Sequence, residues 1–176
     1  MRLVPILFLL PALIGAQSSP PATDPTLSYR GFFLAAPYAD FLARARTLAL
    51  PGANGSVVVC NTSRRTAQLM ECGLSIRDPA DSAELYLAAY VLEGTVAFLS
   101  FGDSGSAPLV EAARRDLVAR FGPPRGSRAG MWEWGTPNEH VRLTWRGRGD
   151  ARWIYIALWD DTVMNRIAHY AQRRAP

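Results

Sequence analysis

Residues Arg152 to Trp159 (RWIYIALW) alternate two kinds of side chain. Ile154, Ile156 and Leu158 fall on one side of an extended strand, and Trp153, Tyr155 and Trp159 on the other. Side chains in a strand point to opposite faces in turn, so this segment demands a sheet with two different faces. The aliphatic face suits a core covered by helices. The aromatic face then lies on the other side of the sheet.

The rest of the chain supplies the other elements. Pro37 opens a helical stretch to about Leu48, with Phe41, Leu42, Ala45 and Leu48 as its apolar stripe. Ser56–Cys60 and Ala67–Leu74 read as strands. Glu84–Leu92 and Thr95–Phe101 are two more, joined at a tight Glu93-Gly94 turn. Leu109, Ala113, Leu117 and Phe121 recur every fourth residue, with Ser106 as the expected N-cap. Gly122-Pro123-Pro124 then stops that helix. Ala129–Gly135, His140–Arg146 and Arg152–Trp159 complete the strands. Asp161 is the expected cap of a final helix, 161–173.

The expected fold is therefore α+β: an antiparallel sheet with helices packed on one face. At 176 residues the chain suits one domain. Its two halves, 31–101 and 106–160, can be laid on each other, Met70-Glu71-Cys72-Gly73 on Trp132-Glu133-Trp134-Gly135. Two repeated helix-plus-strands units are expected.

Several features bear on compartment. Met1-Arg2, an apolar run from Leu3 to Ile14, and Gly15-Ala16 follow the order of a signal peptide, 1–16. A solvated Pro- and Ser-rich leader, 17–30, is expected after it. No stable membrane span remains after cleavage, because no other apolar run is long enough. Cys60 and Cys72, close in sequence, are expected to form a disulfide in an oxidising compartment. The alternative is two free buried thiols. A periplasmic or secreted protein is the expectation.

Composition excludes several chemistries. All 19 basic residues are Arg, so no Lys-dependent Schiff base or phosphate-loop lysine exists. Two Cys and two His give no familiar zinc site, and no metal or cofactor is expected. The net charge of +4 is mild, and nucleic acid is not an expected partner. Gly102-Asp103-Ser104-Gly105 has the pattern of a serine-protease nucleophile, but no His precedes His140 to act as its base. His140 shares a strand face with Arg142 and Thr144, and Glu133 on the neighbouring strand is its candidate carboxylate partner. No nucleophile is evident beside them. Glu71, Glu84, Glu133 and Glu139 leave a hydrolase with paired carboxylates open.

All five Trp fall between Trp132 and Trp159. Trp132, Trp134, Arg142, Trp153, Tyr155 and Trp159 are the candidate binding residues, on one sheet face interspersed with Arg142 and Arg152. Aromatic and Arg side chains are what protein-interface hot spots favour. The competing reading places the Trp residues in the core.

Cys60 and Cys72, the Phe121-Gly122-Pro123-Pro124 helix exit and the Trp132-Glu133-Trp134 strand resemble the β-lactamase inhibitor protein family. That fold is in turn similar to the small outer-membrane assembly lipoproteins of the SmpA/OmlA type. The resemblance covers about residues 31–160 and is architectural. The inhibitor's second Cys pair and the lipoproteins' lipidation Cys are both missing. The resemblance implies an exported, non-catalytic protein of the bacterial envelope that binds a protein partner through a sheet face. A secreted enzyme inhibitor and a small envelope hydrolase are the alternatives.

Overall fold

The computed structural model describes residues 27–51, 58–63, 66–105, 107–148 and 151–172. The expected signal peptide, most of the expected leader and the last four residues lie outside the described residues.

Three helices and ten strands are present among the described residues. A short hairpin, β1 (Ser28–Tyr29) and β2 (Phe32–Phe33), precedes helix α1 (Tyr38–Leu48). Four strands follow: β3 (Val59–Ser63), β4 (Thr66–Arg77), β5 (Glu84–Leu92) and β6 (Thr95–Gly105). After helix α2 (Ala107–Phe121) come β7 (Gly126–Arg128), β8 (Met131–Gly135), β9 (Glu139–Arg148) and β10 (Ala151–Asp160), then α3 (Asp161–Gln172). The eight long-range strands form one antiparallel sheet in the order β3-β4-β5-β6-β10-β9-β8-β7. The fold is α+β, with each of the first two helices followed by a four-strand meander, and the meanders joined at β6 and β10.

Local sequence explains these elements. In α1, Phe41 and Ala45 are one turn apart and both buried. Asp40 in its first turn and Arg46 in its last favour the helix dipole. In α2, Val110, Ala113 and Leu117 form the buried stripe. Gly122 takes φ +78 and donates its N–H to the Val118 carbonyl, ending the helix. At the β5–β6 turn, Glu93 and Gly94 take φ 53 and 80, the pair of positive angles a tight hairpin requires.

Strand pairing assigns each sheet residue to a face. Leu74, Leu87, Leu99, Ile156, Leu143 and Trp132 lie on the side that carries α1 and α2. Phe41 of α1 touches Phe32, which touches Phe101 (ring centres 5.7 and 5.9 Å). Trp134 Nε1 donates to the Gly122 carbonyl at the end of α2 (2.9 Å). α1 and α2 thus cover one face, as the aliphatic side of β10 demands.

The expected leader is corrected at its end. Leu27 and Tyr29 are buried, and Arg30-Gly31 forms a second turn with positive φ (53 and 79). The hairpin folds back because Tyr29 and Phe32 cover Phe101. The polar, Pro- and Ser-rich composition of 17–26, read as continuing to residue 30, hid this aromatic hairpin in the sequence.

Cys60 and Cys72 are direct cross-strand partners on β3 and β4 and form a disulfide, with Cα atoms 4.0 Å apart. Tyr38 of α1 donates its hydroxyl to Cys60 Sγ (3.5 Å). The bridge closes a short loop of 12 residues' separation. Reduction is expected to cost about 2–3 kcal/mol of stability. Calorimetry with and without reductant checks this, and an unchanged melting temperature contradicts it.

Candidate binding face

The side of the sheet away from α1 and α2 has its own residue set. Working across from β4, it carries Glu71, Gly73 and Ser75, then Tyr86, Ala88 and Tyr90 of β5, then Phe98, Ser100 and Gly102 of β6. β10 adds Trp153, Tyr155, Ala157 and Trp159, and β9 adds His140, Arg142, Thr144 and Arg146. Met131 and Glu133 of β8, and Arg128 of β7, complete it.

Tyr86, Trp153 and Tyr155 are exposed by 55%, 55% and 43%. Large aromatics are costly to leave in water, and three on one face form a patch of the kind that marks an interaction site. The poses of the two tyrosines follow from the glycines beneath them. A Cβ on Gly73 would collide with the Tyr86 hydroxyl, and one on Gly102 would lie 3.5 Å from the Tyr155 ring. Both tyrosines therefore lie down over glycine rather than standing away from the sheet.

At one end of this face a polar cluster surrounds Trp159. His140 is the cross-strand partner of Trp159, and their rings stack with centres 4.9 Å apart. His140 Nδ1 meets Glu133 Oε1 (2.9 Å), and Nε2 meets Asp161 Oδ2 (3.0 Å). Arg142 donates through Nε to Glu133 Oε2 (3.0 Å) and sits 4.7 Å from the Trp159 ring centre. Trp159 Nε1 donates to Asp161 Oδ1 (3.0 Å). A cleft of about 550 Å³ adjoins, lined by Arg125, Arg128, Glu133, His140 and Arg142 among others.

The cluster shifts its own titration. Burial alone would lower the His140 pKa, but hydrogen bonds to Glu133 and Asp161, and their charges, outweigh it and raise the pKa. Burial alone would raise that of Glu133, but the hydrogen bonds from His140 and Arg142 hold it below its ordinary value. Both imidazole nitrogens face carboxylates, which only accept, so the doubly protonated ring fits best. The His140 imidazole is expected to titrate above the ordinary 6.5. Its stabilising effect is complete below 6.5 and is lost as pH rises through the folded value. An NMR titration reads this directly, with Glu133→Gln lowering the pKa. A His140 pKa at or below 6.5 contradicts the cluster.

The six candidate binding residues divide. Arg142, Trp153, Tyr155 and Trp159 share the face away from α1 and α2. Trp132 and Trp134 do not, which corrects the single-face expectation. They pair with Leu143 and Val141 on the helix side, and Trp134 is only 1% exposed. Trp132 stacks on Trp145 (4.2 Å) with Arg114 of α2 above it (5.6 Å). The reason is that α2 needs large apolar partners on the short outer strand β8. Arg152 is also on the helix side, in line with Ile154.

The sequence points to Glu133 as the partner of His140 but gives no sign of Asp161. Asp161 was expected to cap α3. Instead Asp160 Oδ1 accepts the Val163 N–H (3.1 Å), leaving Asp161 for His140 and Trp159. Tyr86, Tyr90 and Phe98 were missed altogether. For Tyr86 and Tyr90 the signal is alternation in ELYLAAYVL against the buried Leu85, Leu87, Ala89 and Val91, and for Phe98 it is alternation with the buried Leu99 and Phe101 of the next strand.

Among the described residues no group of His, Cys, Asp and Glu is arranged to hold a metal ion, and no helix is long and apolar enough to cross a membrane. The chain matches no protein family, and comparisons with curated proteins and with solved structures return no match.

Proposed function

We propose that this is an exported, non-enzymatic binding protein of the bacterial envelope. It engages a protein partner through the sheet face that carries Tyr86, Trp153 and Tyr155. The observation that carries this reading is the joint exposure of those three aromatics on one face, beside Arg142 and Arg146. Interface hot spots favour Tyr, Trp and Arg. The Cys60–Cys72 disulfide is compatible with export.

The helix-plus-meander order, met twice, is compatible with the expected tandem units. An enzyme inhibitor is the special case in which the partner is an enzyme. A carboxylate hydrolase is disfavoured at Glu133. Both its oxygens are engaged, and its lowered pKa opposes service as a general acid.

Affinity capture from envelope extract tests the proposal. The bait is the mature protein beginning at Gln17, beside a Trp153→Ala/Tyr155→Ala variant. One saturable protein should be captured by the first, and its affinity should fall by about 30-fold or more per hot-spot residue removed. Equal capture by the variant, with folding intact, contradicts the proposal. Trp159 is left in place because its ring belongs to the His140 cluster.

A further inference from the structure

One register row across the aromatic face has small side chains only. Gly73, Ala88, Ser100 and Ala157 are successive cross-strand partners on β4, β5, β6 and β10. The rows on either side are aromatic. Tyr90, Phe98 and Trp159 form one, and Tyr86 and Tyr155 stand in the other, with Gly102 between them. Tyr86 closes one end of the small row by lying over Gly73. The next partner after Ala157, on β9, is Arg142. The floor from Ala88 to Arg142 crosses four strands, about 14 Å, the length of about four residues of extended chain.

Charge is distributed unevenly around this floor. On β7, β8 and β9 the same face carries Arg128, Arg142 and Arg146, with Glu133 as the acid among them. Arg142 already pairs with Glu133 (2.9 Å). Arg128 and Arg146 are exposed and make no ion pair among the described residues. Arg146 is the cross-strand partner of Trp153, and Arg128 lines the cleft beside His140. The row itself ends in the Arg142–Glu133 pair; Arg128 ends the neighbouring row (Tyr155, Thr144, Met131, Arg128) and Arg146 stands one row beyond it, so unpaired basic charge flanks the β9 end of the row on its Tyr155 side.

We propose that this row receives an extended acidic segment of the partner protein. The segment's backbone lies over Ala88, Ser100 and Ala157. Its apolar side chains sit between the two aromatic rows, and its carboxylates meet Arg146 and Arg128. Arg forks match carboxylates in two-point geometry, and such charge complementarity sets both partner choice and encounter rate. This inference rests on the aromatic face being the binding face.

The test uses fluorescence anisotropy with a labelled poly(Glu,Tyr) copolymer and, for comparison, poly(Lys,Tyr). The acidic copolymer should bind and the basic one should not. Raising salt to about 0.5 M should weaken binding by about tenfold or more. Arg128→Gln/Arg146→Gln should weaken it about tenfold, and so should Tyr86→Ala/Tyr155→Ala. Equal binding of both copolymers overturns the inference. Loss in the Tyr variant with no change in the Arg variant overturns the acidic partner but leaves the face as a binding surface. No change in either variant counts against both.

Discussion

Replacing Trp134 with alanine is expected to lower the unfolding free energy by about 3–5 kcal/mol. The side chain is 1% exposed, in the core that joins β8 and β9 to α2. Its Nε1–H also satisfies the Gly122 carbonyl at the end of α2. The substitution therefore opens a cavity and leaves a helix-end acceptor without its donor. Trp153→Ala is the matched control. That ring is more than half exposed, and its loss should change stability by under about 1 kcal/mol. Urea unfolding of the two variants separates them. Equal stability would mean that the two tryptophans do not lie on opposite sides of the sheet.

Asp78→Ala should cost about 3 kcal/mol. Asp78 is 4% exposed and holds Arg30 Nε through both its oxygens, at 2.9 and 3.0 Å. Its Oδ1 also accepts the Ala80 N–H (2.8 Å), fixing the loop between β4 and β5. Arg30 sits at the tip of the β1–β2 hairpin, with its guanidinium 4.6 Å from the Tyr29 ring centre. Breaking a buried pair from one side strands the remaining charge and typically costs about 3–5 kcal/mol. The lower end applies here because Arg30 keeps Asp116 of α2 (3.0 Å), which is one-third exposed. An Arg30→Met/Asp78→Ala double variant should recover part of the loss, since it removes the stranded charge. A loss under about 1 kcal/mol in Asp78→Ala alone would mean the hairpin is held by its aromatic contacts without this pair.

Much of the fold was legible because its signals are local. The i, i+4 spacing in α1 and α2, the Gly122-Pro123-Pro124 stop and the Glu93-Gly94 turn each act within a few residues. Alternation in β10 correctly separated Ile154 from Trp153. What failed depended on neighbours distant in sequence. Alternation groups Trp132 with Trp134 but does not say which face they take. That is set by α2 crossing β9 and β8, which only the tertiary arrangement provides. The β1–β2 hairpin has no strand-length signal, and its Tyr29, Arg30 and Phe32 are held by Phe101, Asp78 and Asp116. Asp160 and Asp161 are equally good helix caps by composition. Only the position of His140 on β9 decides which one is free for the cluster. The small-residue row was invisible for the same reason: Ala88, Ser100 and Ala157 meet only through strand register.

The central claim is that the partner is met by the aromatic face and not by the helix side. Site-specific photo-cross-linking in the producing cell tests it most directly. A benzophenone side chain would replace Tyr86 or Trp153 on one face, or Arg115, exposed on α2, as the control. Discrete adducts to one protein from the first two positions, and none from Arg115, are the predicted result. Adducts from Arg115 alone, or equally from all three positions, would contradict it.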